Sequence, residues 1–356
     1  MTKDIGRFVD GAVKPPKRQM AMVFDLNKCI ACNTCSIACK TQWTREEGME
    51  SMWWTITNTM PGLGTPKNWE NMGGGFTSEN QMRPGVLPTN EDFGHAWEFN
   101  YDEVFNQGKG QSVHLKPKGD PKWGPNWDED MGGGEYPNSY YFYLPRLCNH
   151  CDHPACVEAC PRKAIEKREE DGVVLINEKR CKGYRFCMEA CPYKRIFFNF
   201  KKDVSQKCIF CYPRLEQGVA PACARQCPGR LRHIGYLDDE NSSVYKLVKK
   251  WKVALPLHGE FGTGPNVFYI PPLSPNRVDA EGNKDFSSPR IPLEYLEGLF
   301  GPRVSEVLEI LKTEMAKRRA GEESELVRTL IVYKWPEDIF SSFTQEPANL
   351  VKFKEA

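Results

Sequence analysis

CNHCDHPACVEACPRKAIEKREEDGVVLINEKRCKGYRFCMEACP, residues 148–192, places seven cysteines in 45 positions. Its first run, Cys148, Cys151, Cys156 and Cys160, ends on Pro161. Its second, Cys181, Cys187 and Cys191, ends on Pro192 with the same three-residue gap before the last cysteine. Between the runs, AIEKREEDGVVLI (164–176) predicts a β-hairpin, with Ile165 and its neighbours in one strand, Asp171-Gly172 at the turn and Val173 to Ile176 returning. One position breaks the likeness of the two runs. Where the spacing calls for a cysteine three residues after Cys181, the chain has Tyr184.

Two further runs lie outward from this block. CIACNTCSIAC supplies Cys29, Cys32, Cys35 and Cys39. Cys208-x2-Cys211 and Cys223-x3-Cys227-Pro228 make the other, with eleven residues inserted in its middle. The spacing C-x2-C-x2-C-x3-C-P is that of bacterial ferredoxins, in which one loop presents three thiolates to a cubane and the fourth cysteine ligates the other cluster of a pair. The hairpin between runs two and three is of about ferredoxin size, so these two pair, and runs one and four pair across the intervening chain. The expected ligand sets are Cys29, Cys32, Cys35 and Cys227 for a first [4Fe-4S] cluster, and Cys208, Cys211, Cys223 and Cys39 for a second. A third [4Fe-4S] cluster takes Cys148, Cys151, Cys156 and Cys191, which leaves Cys160, Cys181 and Cys187 for the fourth.

A cubane held by three thiolates is expected to lose an iron and become [3Fe-4S], with Tyr184 filling the vacated corner. Two other arrangements share this pattern: a Tyr184 phenolate on a fourth iron, or an open-site [4Fe-4S] that binds substrate. A structural zinc scaffold is the remote alternative. Zinc ribbons use C-x2-C pairs but need neither the third cysteine of each run nor the Cys-Pro ending. His150 and His153 flank Cys151 and read as loop residues beside a cluster, not as ligands.

Fifteen cysteines, an odd number, cannot all pair as disulfides. A net charge of +1 with 27% charged residues argues against a nucleic-acid partner. Within 146–232, however, 18 Lys and Arg face 10 Asp and Glu. Four thiolate-bound clusters carry about −8 together, a charge that Lys28, Arg146, Arg162, Arg180, Lys182, Arg185, Lys207, Arg225 and Arg230 are placed to offset. No run reaches the roughly 18–20 apolar residues of a membrane span. MTKDIGRFVDGAVKPPKRQM has neither an apolar core nor a twin-arginine pair, so no export signal is expected in it. No phosphate-binding loop, dinucleotide fingerprint or acid–base constellation stands out, and no catalytic site is expected on this chain.

The fold class expected is α+β: two ferredoxin-like modules with long loop insertions and a C-terminal extended and helical region. Residues 1–42 form the first half-module and 43–145 a loop-rich insertion facing a partner, ordered because Trp53, Trp54, Trp69, Trp97, Trp123 and Trp127 suit a solvated coil poorly. Residues 146–204 form the module of runs two and three, 205–240 complete the module of run one, and 241–356 are the extension. There, Val304, Val307, Leu308, Leu311 and Met315 recur at helical spacing and predict a packing helix over about 303–319.

These four runs, the third short by one cysteine, the long insertion after the first, and VKKWKVALPLHGEFGTGPNVFYIPP (248–272) after the last resemble one family over nearly the whole chain. It is the iron–sulfur β subunit of type II dimethyl-sulfoxide-reductase-like molybdoenzymes, which include nitrate, selenate and (per)chlorate reductases and the dehydrogenases of dimethylsulfide and ethylbenzene. The resemblance implies a large α subunit carrying molybdenum bis-pterin and a small γ subunit carrying haem b. It places the Cys29/Cys227 cluster nearest α and the three-iron cluster nearest the haem. It also implies periplasmic location by co-export with a twin-arginine-bearing α subunit, the alternative being the cytoplasm. Overall likeness in the insertion and tail leans toward the ethylbenzene-type dehydrogenases, with the reductases and dimethylsulfide dehydrogenase as alternatives.

Overall fold

A computed structural model describes residues 15–94, 100, 103, 104, 114, 116 and 131–331. The amino-terminal stretch read for an export signal falls outside them except for residues 15–20, and Trp97, Trp123 and Trp127 lie wholly outside.

The core is a four-stranded sheet in the order β8-β1-β10-β9, from β1 (Met20–Asp25), β8 (Arg232–Tyr236), β9 (Leu255–Pro256) and β10 (Val267–Ile270). All six residues of β1, MAMVFD, are buried. An apolar run of this length, buried on both faces, is what a central strand needs. β1 runs antiparallel to β8, with Met22 opposite Ile234, and parallel to β10, with Val23 opposite Phe268. The sheet positions two cysteine runs at once: β1 leads through a short turn into Cys29, and β8 begins five residues after Cys227. Helix Thr34–Trp43 of run one packs beside helix Ala222–Arg225 of run four.

The block 148–207 is built from short pieces. Helix Ala155–Glu158 packs on helix Phe186–Ala190, and two hairpins flank them, β4 (Ile165–Lys167) with β5 (Val174–Ile176) and β6 (Ile196–Asn199) with β7 (Val204–Lys207). The first hairpin forms where the sequence predicts it, but its turn is wider than Asp171-Gly172. Arg168 N–H bonds the Val173 carbonyl at 2.9 Å, and the Asp171 carboxylate accepts from Val173 N–H at 3.0 Å.

The cysteine-free interval contains a strand that periodicity does not reveal. β2 (Ile56–Met60) pairs with β3 (Phe142–Arg146) and clips the two ends of the insertion together. ITNTM shows no apolar alternation because every one of its residues is buried, polar or not. Beyond β2 the insertion lies against run three. Gly75 N–H bonds the Ala190 carbonyl at 2.9 Å, and Gly74, at φ +94, would set a Cβ 2.6 Å from that oxygen. Only glycine fits so close an approach in the left-handed region. Trp54 and Trp69 are buried and Trp53 is half-buried.

The insertion also meets the extension, through His258. Its Nε2 faces Glu70 at 2.9 Å and its Nδ1 faces Glu260 at 2.7 Å, so both ring nitrogens donate to carboxylates. Burial alone would lower the imidazole pKa, but these two hydrogen bonds outweigh it and raise the value. A raised folded-state pKa means that the contribution is complete below the ordinary value of about 6.5 and fades as pH rises through the folded one. Urea-induced bleaching of the visible absorbance of the iron-loaded protein is therefore expected to quicken from pH 6 to pH 8.5. His258→Gln removes that pH-dependent part, about 1 kcal/mol; an unchanged pH profile in the variant would refute the assignment.

The C-terminal extension holds β11 (Asn276–Val278) paired with β12 (Lys284–Pro289), then helices Leu293–Phe300, Val304–Arg319 and Glu325–Ile331. The second helix buries Val304, Val307 and Leu311 as its spacing predicts. In its last turns it buries Glu314 instead of Met315, because that carboxylate accepts from Ser324 Oγ at 2.7 Å and from Lys317. No described helix is long and apolar enough to cross a membrane.

Candidate metal centres

All four cysteine runs bend the backbone at one equivalent place. The second residue after the first cysteine is left-handed in each: Ala31 at φ 52, His150 at 44, Gly183 at 68 and Phe210 at 52. Only Gly183 adopts this freely; the others carry strain of the kind held at functional sites. The next residue is Cys32, Cys151 or Cys211 in three runs and Tyr184 in the third. Run three therefore keeps the ligand loop and changes one side chain.

Three runs also end alike. After Cys160-Pro, Cys191-Pro and Cys227-Pro, the residues Lys163, Lys194 and Arg230 are left-handed, and each returns its N–H to the carbonyl of that last cysteine at 3.0–3.2 Å. Run one lacks the proline. Its helix continues to Trp43, whose indole Nε1 donates to Cys211 Sγ at 3.0 Å.

The thiols gather into four groups. Burial raises the Cys29 thiol to about 12, and Cys35 and Cys227 are the thiols beside it; Cys32 is the exposed member of run one. Burial likewise raises Cys39, with Cys208, Cys223 and Cys211 adding to the effect. Cys148, Cys151, Cys156 and Cys191 line one cavity with Pro154, Ala155, Val174 and Ile196. Cys160, Cys181 and Cys187 line another together with Tyr184, Ile165 and Ser205. All fifteen cysteines are free of disulfides.

The groups also have neighbours in sequence. Cys35 acts on Cys223, Cys148 on Cys208, and Cys191 on Cys187, so each group adjoins the next in one row. The two ends of the row reach the surface: Ile30 and Ile37 are 68% and 52% exposed at the Cys32 end, Tyr184 and Phe186 56% and 48% at the other.

This donor set fits iron–sulfur clusters. N–H groups point at sulfur: Ala164 at Cys160, Ser205 at Cys181 and Phe210 at Cys208, at 3.3–3.4 Å. Such bonds favour the thiolate that binds metal, whereas apolar burial favours the thiol, so metal must displace the protons. Among the described residues no group of three or more His, Cys, Asp or Glu is arranged to hold a single metal ion. In two of the groups the sulfurs line a cavity, as a polynuclear cluster requires, whereas tetrahedral zinc needs a single point.

The histidines beside Cys151 serve the scaffold. His150 is buried and its Nδ1 accepts from Val174 N–H at 3.0 Å, while burial holds its pKa far down. His153 stacks on Phe76 with centroids 3.8 Å apart and pairs with Glu158.

Of the nine basic residues singled out beside the cysteines, Arg146 and Lys207 are buried; Lys28, Arg185 and Arg230 are half-buried, and the other four are exposed. The structure adds Lys167, Lys194, Arg195 and Arg232, all buried. Arg195 Nη1 donates to the Thr65 carbonyl at 3.1 Å and Nη2 to that of Trp53, and burial pulls its pKa down to about 10.

Short packed helices, hairpins and four thiol groups define an iron–sulfur protein of ferredoxin type. Residues 139–237 match the model of the 4Fe-4S dicluster domain. The chain is 55% identical over 321 residues to the dimethylsulfide dehydrogenase β subunit of Rhodovulum sulfidophilum, covering 90% of this chain and 98% of that one. It is 54% identical to the selenate reductase β subunit of Thauera selenatis (89% and 97% covered) and 54% to the chlorate reductase β subunit of Ideonella dechloratans (88% and 96%). The chain belongs to the iron–sulfur β subunits of dimethyl-sulfoxide-reductase-family molybdoenzymes. It is an electron-transfer subunit of an oxidoreductase complex.

Proposed function

We propose that the chain holds three [4Fe-4S] clusters and one [3Fe-4S] cluster, on Cys29/Cys32/Cys35/Cys227, Cys208/Cys211/Cys223/Cys39, Cys148/Cys151/Cys156/Cys191 and Cys160/Cys181/Cys187. The observation that carries this reading is the left-handed turn shared by all four runs, with Tyr184 alone where the others have cysteine. Bound clusters each supply a one-electron couple whose potential follows ligation, hydrogen bonds to sulfur and burial. The chain's own residues hold them in a row, keep water from the inner ones and offset their charge. The two groups at the ends of the row belong to two ferredoxin-type modules, one from runs one and four and one from runs two and three.

The two exposed ends suit two partners. We assign the Cys29 end to a large molybdopterin-bearing catalytic subunit and the Tyr184 end to a small haem b subunit. Co-export with a twin-arginine-bearing catalytic subunit would place the complex in the periplasm. The substrate belongs to the catalytic subunit. β subunits named for dimethylsulfide dehydrogenase and for selenate and chlorate reductases stand at 54–55% identity to this chain. An ethylbenzene-type dehydrogenase, an oxyanion reductase and a dimethylsulfide dehydrogenase are the alternatives for the complex, and the direction of electron flow follows the substrate.

Low-temperature EPR with iron and sulfide analysis of the anaerobically purified complex tests the cluster set. We expect about 15 β-subunit irons and, in the oxidised state, one near-isotropic signal of about one spin that mild reduction removes. A colourless, zinc-rich β subunit would overturn the reading.

A further inference from the structure

Arg232 differs from the other buried arginines in what surrounds it. Arg146 and Arg195 direct their guanidinium groups at carbonyl and amide oxygens. Arg232, which opens β8 and is 6% exposed, donates from Nη1 to Thr55 Oγ1 at 3.4 Å and is hydrogen-bonded to the Cys223 thiol. Its Nε and Nη2 are buried without a hydrogen-bond partner. The Phe24 ring covers it, 4.5 Å from the guanidinium carbon to the ring centroid. Burial opposes its charge, but the thiols of Cys35, Cys223, Cys227 and Cys29, in that order, outweigh burial and hold the guanidinium charged. Two of those sulfurs belong to run one and two to run four.

A buried cation with unmet donors is costly unless opposite charge lies beside it. The weak bond to Thr55 does not by itself need a guanidinium. The thiolates give a reason for it. An electron added to a cluster makes it more negative, and a cation fixed nearby in a low dielectric favours that state. Arginine keeps its proton at any working pH, so the effect does not vary with pH.

We propose that Arg232 is a positioning residue of the electron path, a permanent countercharge set between the first and second clusters that raises the potential of both. The proposal rests on the ligand sets assigned above. Neither of the other buried arginines compared above has this surrounding: the thiols nearest Arg195 are Cys191, Cys208 and Cys148, and Arg146 has Cys191 alone.

Redox titration followed by EPR on the purified complex tests it. Cys32→Ser and Cys211→Ser first identify which couple belongs to which ligand set. Arg232→Gln is then expected to lower both of those couples, each by at least tenfold in the reduced-to-oxidised ratio at fixed potential, about 59 mV for one electron. The other two couples stay in place, and Arg232→Lys, which keeps the charge, restores most of the shift. Full iron content with all four couples unmoved in Arg232→Gln would overturn the proposal while leaving the ligand sets intact. If Cys32→Ser and Cys211→Ser disturb one and the same couple, the ligand sets fall and the proposal with them. Should Arg232→Gln fail to load iron, Arg232→Lys decides. Normal loading there supports the countercharge; equal loss shows that the site needs the guanidinium shape, and overturns it.

Discussion

A Tyr184→Cys variant is expected to lose the oxidised-state EPR signal of the complex and to gain about one iron per chain. The loop at Tyr184 has the same left-handed entry, at Gly183, as the loops that present Cys32, Cys151 and Cys211. A thiolate placed there stands where the other runs put a ligand, so the missing corner can be filled without moving the backbone. Tyr184 already lines the cavity of Cys160, Cys181 and Cys187 and is 56% exposed, so the change removes surface, not core. Stability is expected to stay within about 0.5 kcal/mol of wild type, while the couple at that end of the row falls to that of a four-iron cluster. A wild-type protein already silent when oxidised would show that a fourth iron is present. Tyr184→Phe then tells phenolate ligation, which it abolishes, from an open corner, which it leaves as it was.

The largest loss of stability is expected from Arg146→Ala. Arg146 is 1% exposed, and its guanidinium joins three separate parts of the chain. Nη1 donates to Asn58 Oδ1 on β2 at 3.1 Å and to the Thr65 carbonyl at 3.3 Å; Nη2 donates to the Tyr193 carbonyl, two residues past Cys191, at 2.7 Å. The Trp69 ring lies 3.4 Å below the guanidinium carbon. Burial, with Arg195 adding to it and Glu70 opposing it, has pulled its pKa down to about 9, so the charge is retained at neutral pH. Removing it leaves buried oxygens without donors and a cavity beside Trp69, about 3–5 kcal/mol. Bleaching of the visible absorbance in urea reads this as a rate, expected to rise by up to about two to three decades. Arg146→Lys keeps the charge but not the fork, and falls between. Bleaching at the wild-type rate in Arg146→Ala would mean that water or neighbouring donors meet those oxygens.

Much of this architecture is legible in the sequence because its punctuation is chemical. Asp171-Gly172 between Ile165 and the β-branched stretch Val173–Ile176 marks the β4–β5 hairpin, and Val304, Val307 and Leu311 mark the helix that buries them. The kinship of the four runs is written in their spacing. What escapes is whatever depends on distant partners. β2 reads as polar because its buried Asn58 and Thr57 meet Arg146 and Cys35, far along or far back in the chain. The left-handed turn is visible at Gly183 alone, since Ala31, His150 and Phe210 are poor candidates for it. Arg232 is one of eighteen basic residues in its segment, and nothing local separates it from Arg230. Its burial follows from the pairing of Phe24 with Arg232 across the β1–β8 ladder, between residues 208 positions apart.

That ladder also sets a timetable for the young chain. Residues 148–207 close on themselves within sixty positions, so their loops can form while synthesis continues. β1, placed directly before Cys29, has no strand partner until β8 and then β10 have been made, and the cost of closing so long a loop is met only at that point. The four thiols of run one therefore wait, open to oxidation or to the wrong metal, through more than two hundred residues of elongation. Under the assigned ligand sets, the two clusters of run one can be completed only after Cys223 and Cys227 have been made, later than those of residues 148–191.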